Sequence, residues 1–255
     1  MEIHFKSEAL YQNVGLNVIL PDESYLHGGK VKYPVLYLLH GLSDDYTCWQ
    51  RLSSVERYAR ENGIAVVMPD GGINFYSDNK KANRNYYTLV AKEIPAFCER
   101  NFACISTKRE DTFVAGLSMG GYGALKLALS MPEKFSSVAA FSSVADIVSC
   151  VKAEMIRNGE FWNYIFEDVN SLEGSCDDLF ALADKCGPEK SPHIYMWCGT
   201  EDSLCRSNDK LAAYLTQNKF PITYETSHGN HSWKYWDEQL ERAIRRMAES
   251  RKNNT

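Results

Sequence analysis

The sequence contains no apolar run approaching the roughly 18 residues that a membrane-spanning helix requires. Its first 21 residues, MEIHFKSEALYQNVGLNVILP, contain no unbroken apolar core of signal-peptide length. It also contains no cluster of Lys and Arg that could neutralise phosphates, and its formal net charge is -5. These absences argue against a membrane, an export route and nucleic acid as partners. We therefore expect a soluble, cytoplasmic protein.

Metal-binding cysteine patterns are also absent. The eight cysteines form no C-x-x-C pair and no Cys/His pair with the spacing of a zinc site. In a reducing compartment we expect free thiols, although Cys150, Cys176 and Cys186 fall in one polar stretch and could pair in a secreted protein. The sequence thus gives no reason to expect a metal or a cofactor.

Repeats, low-complexity tracts and Pro/Gly-rich linkers are missing as well, which predicts a single domain over residues 1–255. The chain does contain 44% hydrophobic residues, which is ample for a core. Short apolar runs alternate with longer helical ones, a pattern typical of an α/β fold with a mostly parallel sheet flanked by helices. The predicted strands are 14–20, 35–40, 64–69, 112–116, 138–142, 193–198 and 222–226, and the predicted helices are 51–62, 86–101, 119–130, 207–218 and 233–250.

Two segments differ from this alternation. Residues 14–20 alternate apolar and polar side chains, which predicts an antiparallel edge strand with one face in water. Residues 145–192 give no strand signal but contain helical pieces and the aromatic stretch EFWNYIFEDV. Because open α/β sheets keep their ligand loops at the carboxyl ends of strands, we expect a lid within the domain. A simple packing elaboration is the alternative.

The stretch VAGLSMGGYGALKLAL places Ser118 between a β-branched strand and a helix, with glycines on both sides. Such a sharp reversal forces the turn residue toward positive φ and leaves little room for side chains around it. A G-x-S-x-G motif alone is weak, but its strand-turn-helix context is that of a nucleophile elbow. Ser118 is therefore the predicted nucleophile.

A serine hydroxyl must transfer its proton to a base as it attacks. His4 and His27 precede the core strands, His193 begins a strand, and His40 is better placed to shape a loop. The segment SHGNHSW lies between the last predicted strand and the final helix, at the same edge as the serine. His231 is the preferred base because it lies deeper in this loop, and His228 at the strand end is the alternative.

The imidazole needs an acceptor that fixes its tautomer and stabilises its charge. Asp202 in GTEDSLC follows a predicted strand, and the chain order serine, acid, histidine is that of hydrolases with a nucleophile elbow. The neighbouring Glu201 would point elsewhere on a tight turn. Asp146, which also follows a strand, remains an alternative acceptor.

Attack by the serine creates an oxyanion that needs fixed donors. The amide of Met119 follows the nucleophile, and HGLSDDYTCW turns the chain after an apolar strand so that the amide of Leu42 can face Ser118. We predict these two amides as the oxyanion hole. An ordinary strand-to-helix turn is the alternative interpretation of the HG pair.

Four motifs, HGLSDDYTCW, GLSMGGYGAL, GTEDSLC and HGNHSWKYWDEQL, together resemble the esterase D-like branch of the α/β-hydrolases. The resemblance runs from about Val14 to Met247 and is closest to small bacterial tributyrin-type esterases. It implies the α/β-hydrolase fold, a triad of Ser118, Asp202 and His231, and the two oxyanion amides. Asn230 and Trp233 differ from the usual S-formylglutathione hydrolase pattern, and NKKANRN lacks a glycine expected in the adjoining pocket wall.

These observations predict a cofactor-free serine carboxylesterase that hydrolyses short-chain, acetyl-type esters through an acyl-enzyme. Alternatives are a feruloyl or acetyl xylan esterase, an S-formylglutathione-type thioesterase, an acyltransferase, or an inactive binding scaffold. The expected partner is a small-molecule or oligosaccharide ester, and a homo-oligomer is possible. Candidate aromatic residues for substrate binding, each of which could equally belong to the core, are Trp49, Phe161, Trp162 and Trp233.

Overall fold

A computed structural model describes residues 1–21 and 32–252. Eight strands form one sheet in the order β1-β2-β4-β3-β7-β8-β9-β10, and two short strands form a separate hairpin. The sheet strands are β1 Glu2–Ser7, β2 Gln12–Ile19, β3 Val35–Leu39, β4 Ala65–Pro69, β7 Thr112–Leu117, β8 Ser137–Phe141, β9 His193–Gly199 and β10 Ile222–Ser227, and the hairpin strands are β5 Asp78–Asn79 and β6 Arg84–Asn85.

The six strands from β4 to β10 in the sheet order run parallel, whereas β1 and β2 are antiparallel to their neighbours. Every residue of β3, β4, β7 and β8 is buried, as the continuously apolar sequences of parallel strands indicate. The predicted α/β class and all seven predicted strands are therefore confirmed. Parallel strands place their carboxyl ends at one edge of the sheet, where the candidate site lies.

The strand predicted over residues 14–20 is antiparallel as expected, but its predicted position at the edge of the sheet is wrong. β2 lies inside the sheet, because β1 pairs with it in the register Ile3↔Leu16 and Phe5↔Val14. The edge strand β1 has the alternation expected of an edge, and its Phe5 ring stacks on Phe97 at 4.6 Å. β1 was not predicted from the sequence because the strand has only six residues and buries only one face.

Helices cover both faces of the sheet, with one buried cluster on each side. The helix predicted over 51–62 begins earlier and is interrupted at Ser53, which is extended. The helix predicted over 86–101 contains a π-helical stretch, Leu89–Glu93. The α-helices are α1 Cys48–Leu52, α2 Val55–Asn62, α3 Tyr86–Thr88, α4 Ile94–Asn101, α5 Met119–Ser130, α6 Ile147–Ile165, α7 Leu179–Cys186, α8 Cys205–Gln217 and α9 Trp233–Lys252.

Residues 145–192 contain α6 and α7 and no strand. Helix α6 kinks at Asn158, whose φ of -134° lies outside the helical range. A buried polar cluster connects this segment to the helix after Ser118: the ammonium of Lys126 in α5 bonds to Asp177 and, at 2.8 Å, to Ser77 Oγ. The hydroxyl of Tyr122 donates to the carbonyl of Asp177 at 2.7 Å. The segment is thus anchored to the helix that begins at the candidate nucleophile.

Candidate active site

Ser118 occupies the turn between β7 and α5 in a strained conformation. Its φ of 53° and ψ of -117° lie where side chains are disfavoured. A hydrogen bond to the neighbouring strand β8 stabilises the turn, since the Ser118 amide donates to the Phe141 carbonyl at 2.8 Å. A Cβ on Gly116 would come within 2.3 Å of the Gly120 carbonyl oxygen. The glycines on either side therefore allow the strand and helix to approach closely enough to expose the serine hydroxyl.

His231 lies beside this hydroxyl, in the loop between β10 and α9. Its Nε2 is 3.0 Å from Ser118 Oγ, and its Nδ1 is 2.8 Å from Asp202 Oδ2. A carboxylate only accepts hydrogen bonds, so the proton of the neutral imidazole resides on Nδ1 and Nε2 can accept the serine proton. Three side chains separated by up to 113 positions thus form one hydrogen-bonded chain.

The Asp202 carboxylate is fully buried in the loop between β9 and α8. Burial acts to raise its pKa, but hydrogen bonds from His231, from the Leu204 amide and from the Ser142 hydroxyl outweigh burial and hold the pKa below its ordinary value. The Leu204 amide donates to Oδ1 at 2.9 Å, leaving Oδ2 for His231. Asp202 is therefore a fixed anion that orients the imidazole.

Two further residues at this site escaped the sequence analysis. Ser142, which follows β8 with a φ of 47°, accepts a hydrogen bond from Trp236 Nε1 at 3.0 Å, and its hydroxyl helps to lower the pKa of Asp202. The Trp236 ring also meets the His231 ring edge to face, with centroids 4.8 Å apart. Two signals could have found them: Ser142 ends a strand at the candidate edge, and a buried tryptophan N–H requires an acceptor.

The alternative bases do not contact Ser118. His40 is buried, with Nδ1 bonded to the Gly41 carbonyl and Nε2 accepting from the Gly71 amide, so it shapes the loop after β3. His228 is exposed and pairs with Glu201 at 3.0 Å. His4 is at the edge strand and contacts Glu2, His193 begins β9 away from the site, and His27 lies outside the described residues.

Asp146, the alternative acceptor, has a different role in the structure. Its carboxylate caps α6 by accepting from the Ser149 amide at 2.9 Å and pairs with Lys210. Burial acts to raise the pKa of Asp146, but the hydrogen bond and charge of Lys210 outweigh it and lower the pKa. This carboxylate is therefore occupied within the start of α6.

The predicted oxyanion amides are on either side of Ser118. The amide of Met119 is the first of α5, one of the N–H groups that a helix start leaves without a partner in the helix. The loop carrying Leu42 passes close to the nucleophile, because a Cβ on Gly41 would lie 3.6 Å from Ser118 Cβ. Leu42 itself is 40% exposed. Both amides thus belong to backbone segments that border the serine.

The predicted substrate-binding aromatic residues separate into two groups. Trp49 and Trp162 are buried, so their assignment as stacking surfaces is wrong: the Trp49 N–H donates to the Leu39 carbonyl, and Trp162 stacks on Phe166. Both are core residues because large apolar rings gain most from burial. Phe161 and Trp233 are only half-buried. Trp233 lies two residues after His231 in the sequence, and its ring packs edge to face with that of Trp49.

Three further properties concern the predictions about metals, thiols and membranes. Within residues 1–21 and 32–252, no group of three His, Cys, Asp or Glu side chains could hold a metal ion. All eight cysteines are free, including Cys150, Cys176 and Cys186. Over the same described part of the chain, no helix has both the length and the apolarity to cross a membrane.

Proteins similar to this chain include esterases and other serine hydrolases. A family model described as putative esterase matches residues 7–247. An acetyl esterase of Caldicellulosiruptor saccharolyticus is 33% identical over 97% of each chain. Two solved structures from Staphylococcus aureus, each 32% identical, are similar throughout: an S-formylglutathione hydrolase (TM-score 0.86, covering 97% of this chain and 98% of that one) and a fluorophosphonate-binding serine hydrolase (TM-score 0.87, covering 97% of each).

Proposed function

This chain belongs to the putative esterase family of the α/β-hydrolase fold and is a serine esterase, and we propose that Ser118, His231 and Asp202 carry its reaction. The hydrogen-bonded chain from Ser118 Oγ through His231 to Asp202 is the observation that carries this proposal. The strained φ of Ser118 supports it, because such conformations persist where the surrounding structure imposes them, often at functional sites.

In the first half of the reaction, Ser118 Oγ forms a bond to the ester carbonyl carbon while its proton moves to His231 Nε2. The carbonyl oxygen becomes an oxyanion, and the Asp202 carboxylate stabilises the imidazolium. The oxyanion then collapses, the bond to the alcohol oxygen breaks, and the imidazolium proton goes to the departing alcohol. An acyl-serine remains.

In the second half, water replaces the alcohol. His231 Nε2 takes a proton from the water as its oxygen attacks the acyl-serine carbonyl, and it returns the proton to Ser118 Oγ as the acid leaves. Water can reach the imidazole because the His231 side chain is 36% exposed. Each oxyanion is held by the Met119 and Leu42 amides. Removing one such donor typically raises the activation barrier by about 2.7 to 4 kcal/mol.

The substrate class that we propose is a short-chain, acetyl-type carboxylic ester, as in the tributyrin-type esterases that the motifs resemble. The similar acetyl esterase supports this choice. So does the aromatic packing near the site: Phe75 contacts Tyr122, one helical turn after Ser118, as well as Trp162 and Phe166. These rings are buried against one another, and we propose that they limit the space available to a long acyl chain.

A series of p-nitrophenyl esters from acetate to decanoate tests the acyl preference. We expect kcat/KM to be highest for the shortest chains and to fall as the chain lengthens. A maximum at octanoate or decanoate would contradict the short-acyl proposal while leaving the triad unaffected.

Thioester cleavage is the second candidate, because an S-formylglutathione hydrolase is similar over nearly the whole chain. Asn230 and Trp233 argue against it, since they replace residues usual around the base in that group. Turnover of S-formylglutathione, compared with p-nitrophenyl acetate under the same conditions, separates the two. Methyl ferulate and acetylated xylan oligosaccharides, assayed in parallel, test the feruloyl and acetyl xylan alternatives.

Labelling by a fluorophosphonate probe tests the nucleophile directly. We expect the wild-type protein to be labelled, S118A to be unlabelled, and heat-denatured wild type to be unlabelled. Failure of the folded wild type to react would favour an inactive scaffold. Labelling of S118A would assign the nucleophile to another residue.

The cellular setting that we propose is the cytoplasm. All eight cysteines are free thiols in the structure, the state that a reducing compartment maintains. That segment is proposed as a lid, since it follows β8 at the edge that holds Ser118 and is anchored to α5 through Lys126 and Asp177.

A further inference from the structure

The loop after β4 lies against the oxyanion loop and extends the site away from the triad. The Gly71 amide donates to His40 Nε2 at 2.8 Å, and the Tyr76 hydroxyl donates to the His40 carbonyl at 2.9 Å. His40 directly precedes Gly41, whose position borders Ser118. Residues 70–86 therefore form the surface next to the catalytic residues. Their side chains can contact the parts of a substrate beyond its ester carbonyl.

Arg84 at the end of this loop is oriented but has no anionic partner among the described residues. Its Nε donates to Asn74 Oδ1 at 2.8 Å, and its guanidinium carbon lies 4.0 Å from the centre of the Tyr164 ring and 5.7 Å from that of Tyr86. Arginines on outer helices differ, since Arg60 and Arg242 pair with carboxylates one turn away. Stacking on the ring faces leaves the outer edge of the Arg84 guanidinium, with Nη1 and Nη2, to bind a ligand.

A second observation points to a missing polar ligand in the same place. Asn74 is wholly buried, yet its Nδ2 has no hydrogen-bond partner in the described structure, which is costly for an amide. Nδ2 and the Tyr86 hydroxyl each lie 2.9 Å from where a Cβ on Gly72 would be. Gly72 has a φ of 53°, so glycine is favoured there, and any side chain at this position would collide with both groups.

From this juxtaposition we propose that Arg84, positioned by Asn74 and the two tyrosines, binds a carboxylate or phosphate group on the substrate, remote from the ester carbonyl. A planar guanidinium with two free N–H groups along one edge matches the two oxygens of such an anion. The hairpin that contains Arg84 adds the exposed Lys80, which favours the approach of an anion, whereas the neighbouring Lys81 pairs with Glu167 at 3.6 Å. This inference rests on the proposed esterase function and narrows its substrates to anionic esters.

Matched substrate pairs test the inference. One pair, para-acetoxybenzoate and its methyl ester, differs in a charge on the alcohol part. The other, p-nitrophenyl adipate with a free carboxylate and the same compound as its methyl ester, differs in a charge on the acyl part. The measured quantity is the ratio of kcat/KM for the anionic ester to that for its neutral partner, so a general loss of activity cancels.

R84Q removes the charge while keeping a donor for Asn74 Oδ1, and R84K keeps the charge but loses the planar fork. We expect R84Q to lower the ratio about tenfold for at least one pair, as loss of a charge-assisted hydrogen bond does, and R84K to give an intermediate value. R57Q is the matched control: Arg57 is exposed on α2, stacks on Tyr58 and pairs with Glu61. Its ratio should equal that of the wild type.

Which pair responds identifies the source of the anion, the alcohol part or the acyl part. A ratio in R84Q within twofold of the wild type for both pairs would overturn the inference. Fluorophosphonate labelling of R84Q verifies that its active site is assembled. Failure of the esterase proposal itself is distinguishable, because the wild type would then hydrolyse neither neutral ester.

Discussion

The carboxyl edge of the sheet and the segment 145–192 are held in place in different ways. At the edge, the polar atoms of Ser118, His231 and Asp202 form a continuous hydrogen-bonded network supported by strand ends and loops. The segment 145–192 is held by apolar side chains such as Trp162 and Phe166 in the core and by one buried ion pair, Lys126–Asp177, while Ile156 on α6 is 97% exposed. Substitutions at the carboxyl edge should therefore lower the catalytic rate most, and substitutions at the Lys126–Asp177 pair should lower the stability most.

The largest effect should come from D202N. The amide keeps the size of the carboxylate but can hold the imidazole in the tautomer with its proton on Nε2, which cannot accept from Ser118. We expect kcat to fall by about 10⁴-fold with little change in Tm, measured with p-nitrophenyl acetate and by thermal denaturation.

D146N is the matched control, because Asp146 also follows a strand but caps α6 and pairs with Lys210. Its kcat should stay within about threefold of the wild type, since its carboxylate contacts no residue of the triad. A larger loss in D146N than in D202N would reverse the assignment of the acid.

K126M should have the second-largest effect, and on stability rather than chemistry. It leaves Asp177 buried without its cation, and breaking such a pair typically costs about 3 to 5 kcal/mol. The matched control is K152M, whose pair with Glu173 is exposed in the same segment, so no resolvable change in unfolding free energy is expected. Adding D177N to K126M should restore part of the loss; no recovery would indicate that packing, and not charge, is responsible.

The pH dependence of K126M follows from Asp177. In the wild type burial acts to raise the Asp177 pKa, but Lys126 outweighs it and lowers the pKa. The lowered pKa stabilises the fold above the ordinary carboxyl pKa of about 3.9, and that contribution is lost as pH falls through the folded value. Without Lys126, burial raises the pKa, so the deficit of K126M should grow as pH rises from about 4. A deficit independent of pH, measured by denaturant unfolding, would contradict this cause.

The sequence predicted features that arise from local chemistry. Continuous apolar runs predicted β3 and β4, and the glycines around Ser118 predicted its positive φ. It did not predict features that depend on packing between distant elements. Trp49 and Trp162 look like ligand-stacking residues until the core closes around them, and Ser142 gains its position only when β8 lies beside β9. The Lys126–Asp177 pair joins residues 51 positions apart, which no local pattern reveals.

S142A tests the support of Asp202 and should have a smaller effect than D202N. Losing one hydrogen bond to a charged group costs about 1.5 to 3 kcal/mol, so we expect kcat to fall by roughly tenfold or more. The Asp202 pKa should also rise toward its ordinary value because a donor that lowers it is gone. A more basic carboxylate favours the imidazolium, so the acid limb of the kcat/KM profile should move to higher pH.

W236F separates the hydrogen bond from the ring contact. It keeps an aromatic ring against His231 but removes the N–H that Ser142 accepts. We expect the acid limb to move in the same direction as in S142A and by less, because the hydroxyl remains. An unchanged pH profile in both variants, with only Tm lowered, would show that the pair is structural and does not position Asp202.

The smallest effect concerns the strain at Ser118, where S118G is compared with S118A. Both variants lack the nucleophile, but only glycine adopts a φ of 53° and a ψ of -117° without cost. Relief of such strain is worth about 1 to 3 kcal/mol, partly offset by the greater freedom of glycine in the unfolded chain. We expect S118G to be more stable than S118A by about 1 kcal/mol, or about 2 to 4 °C in Tm.

The control is A153G, on the exposed face of α6. Here glycine should be less stable than alanine, because glycine inside an ordinary helix costs about 1 kcal/mol. If glycine lowered the stability at both positions 118 and 153, the turn at Ser118 would not be strained, and its backbone would respond to glycine as an ordinary helix does.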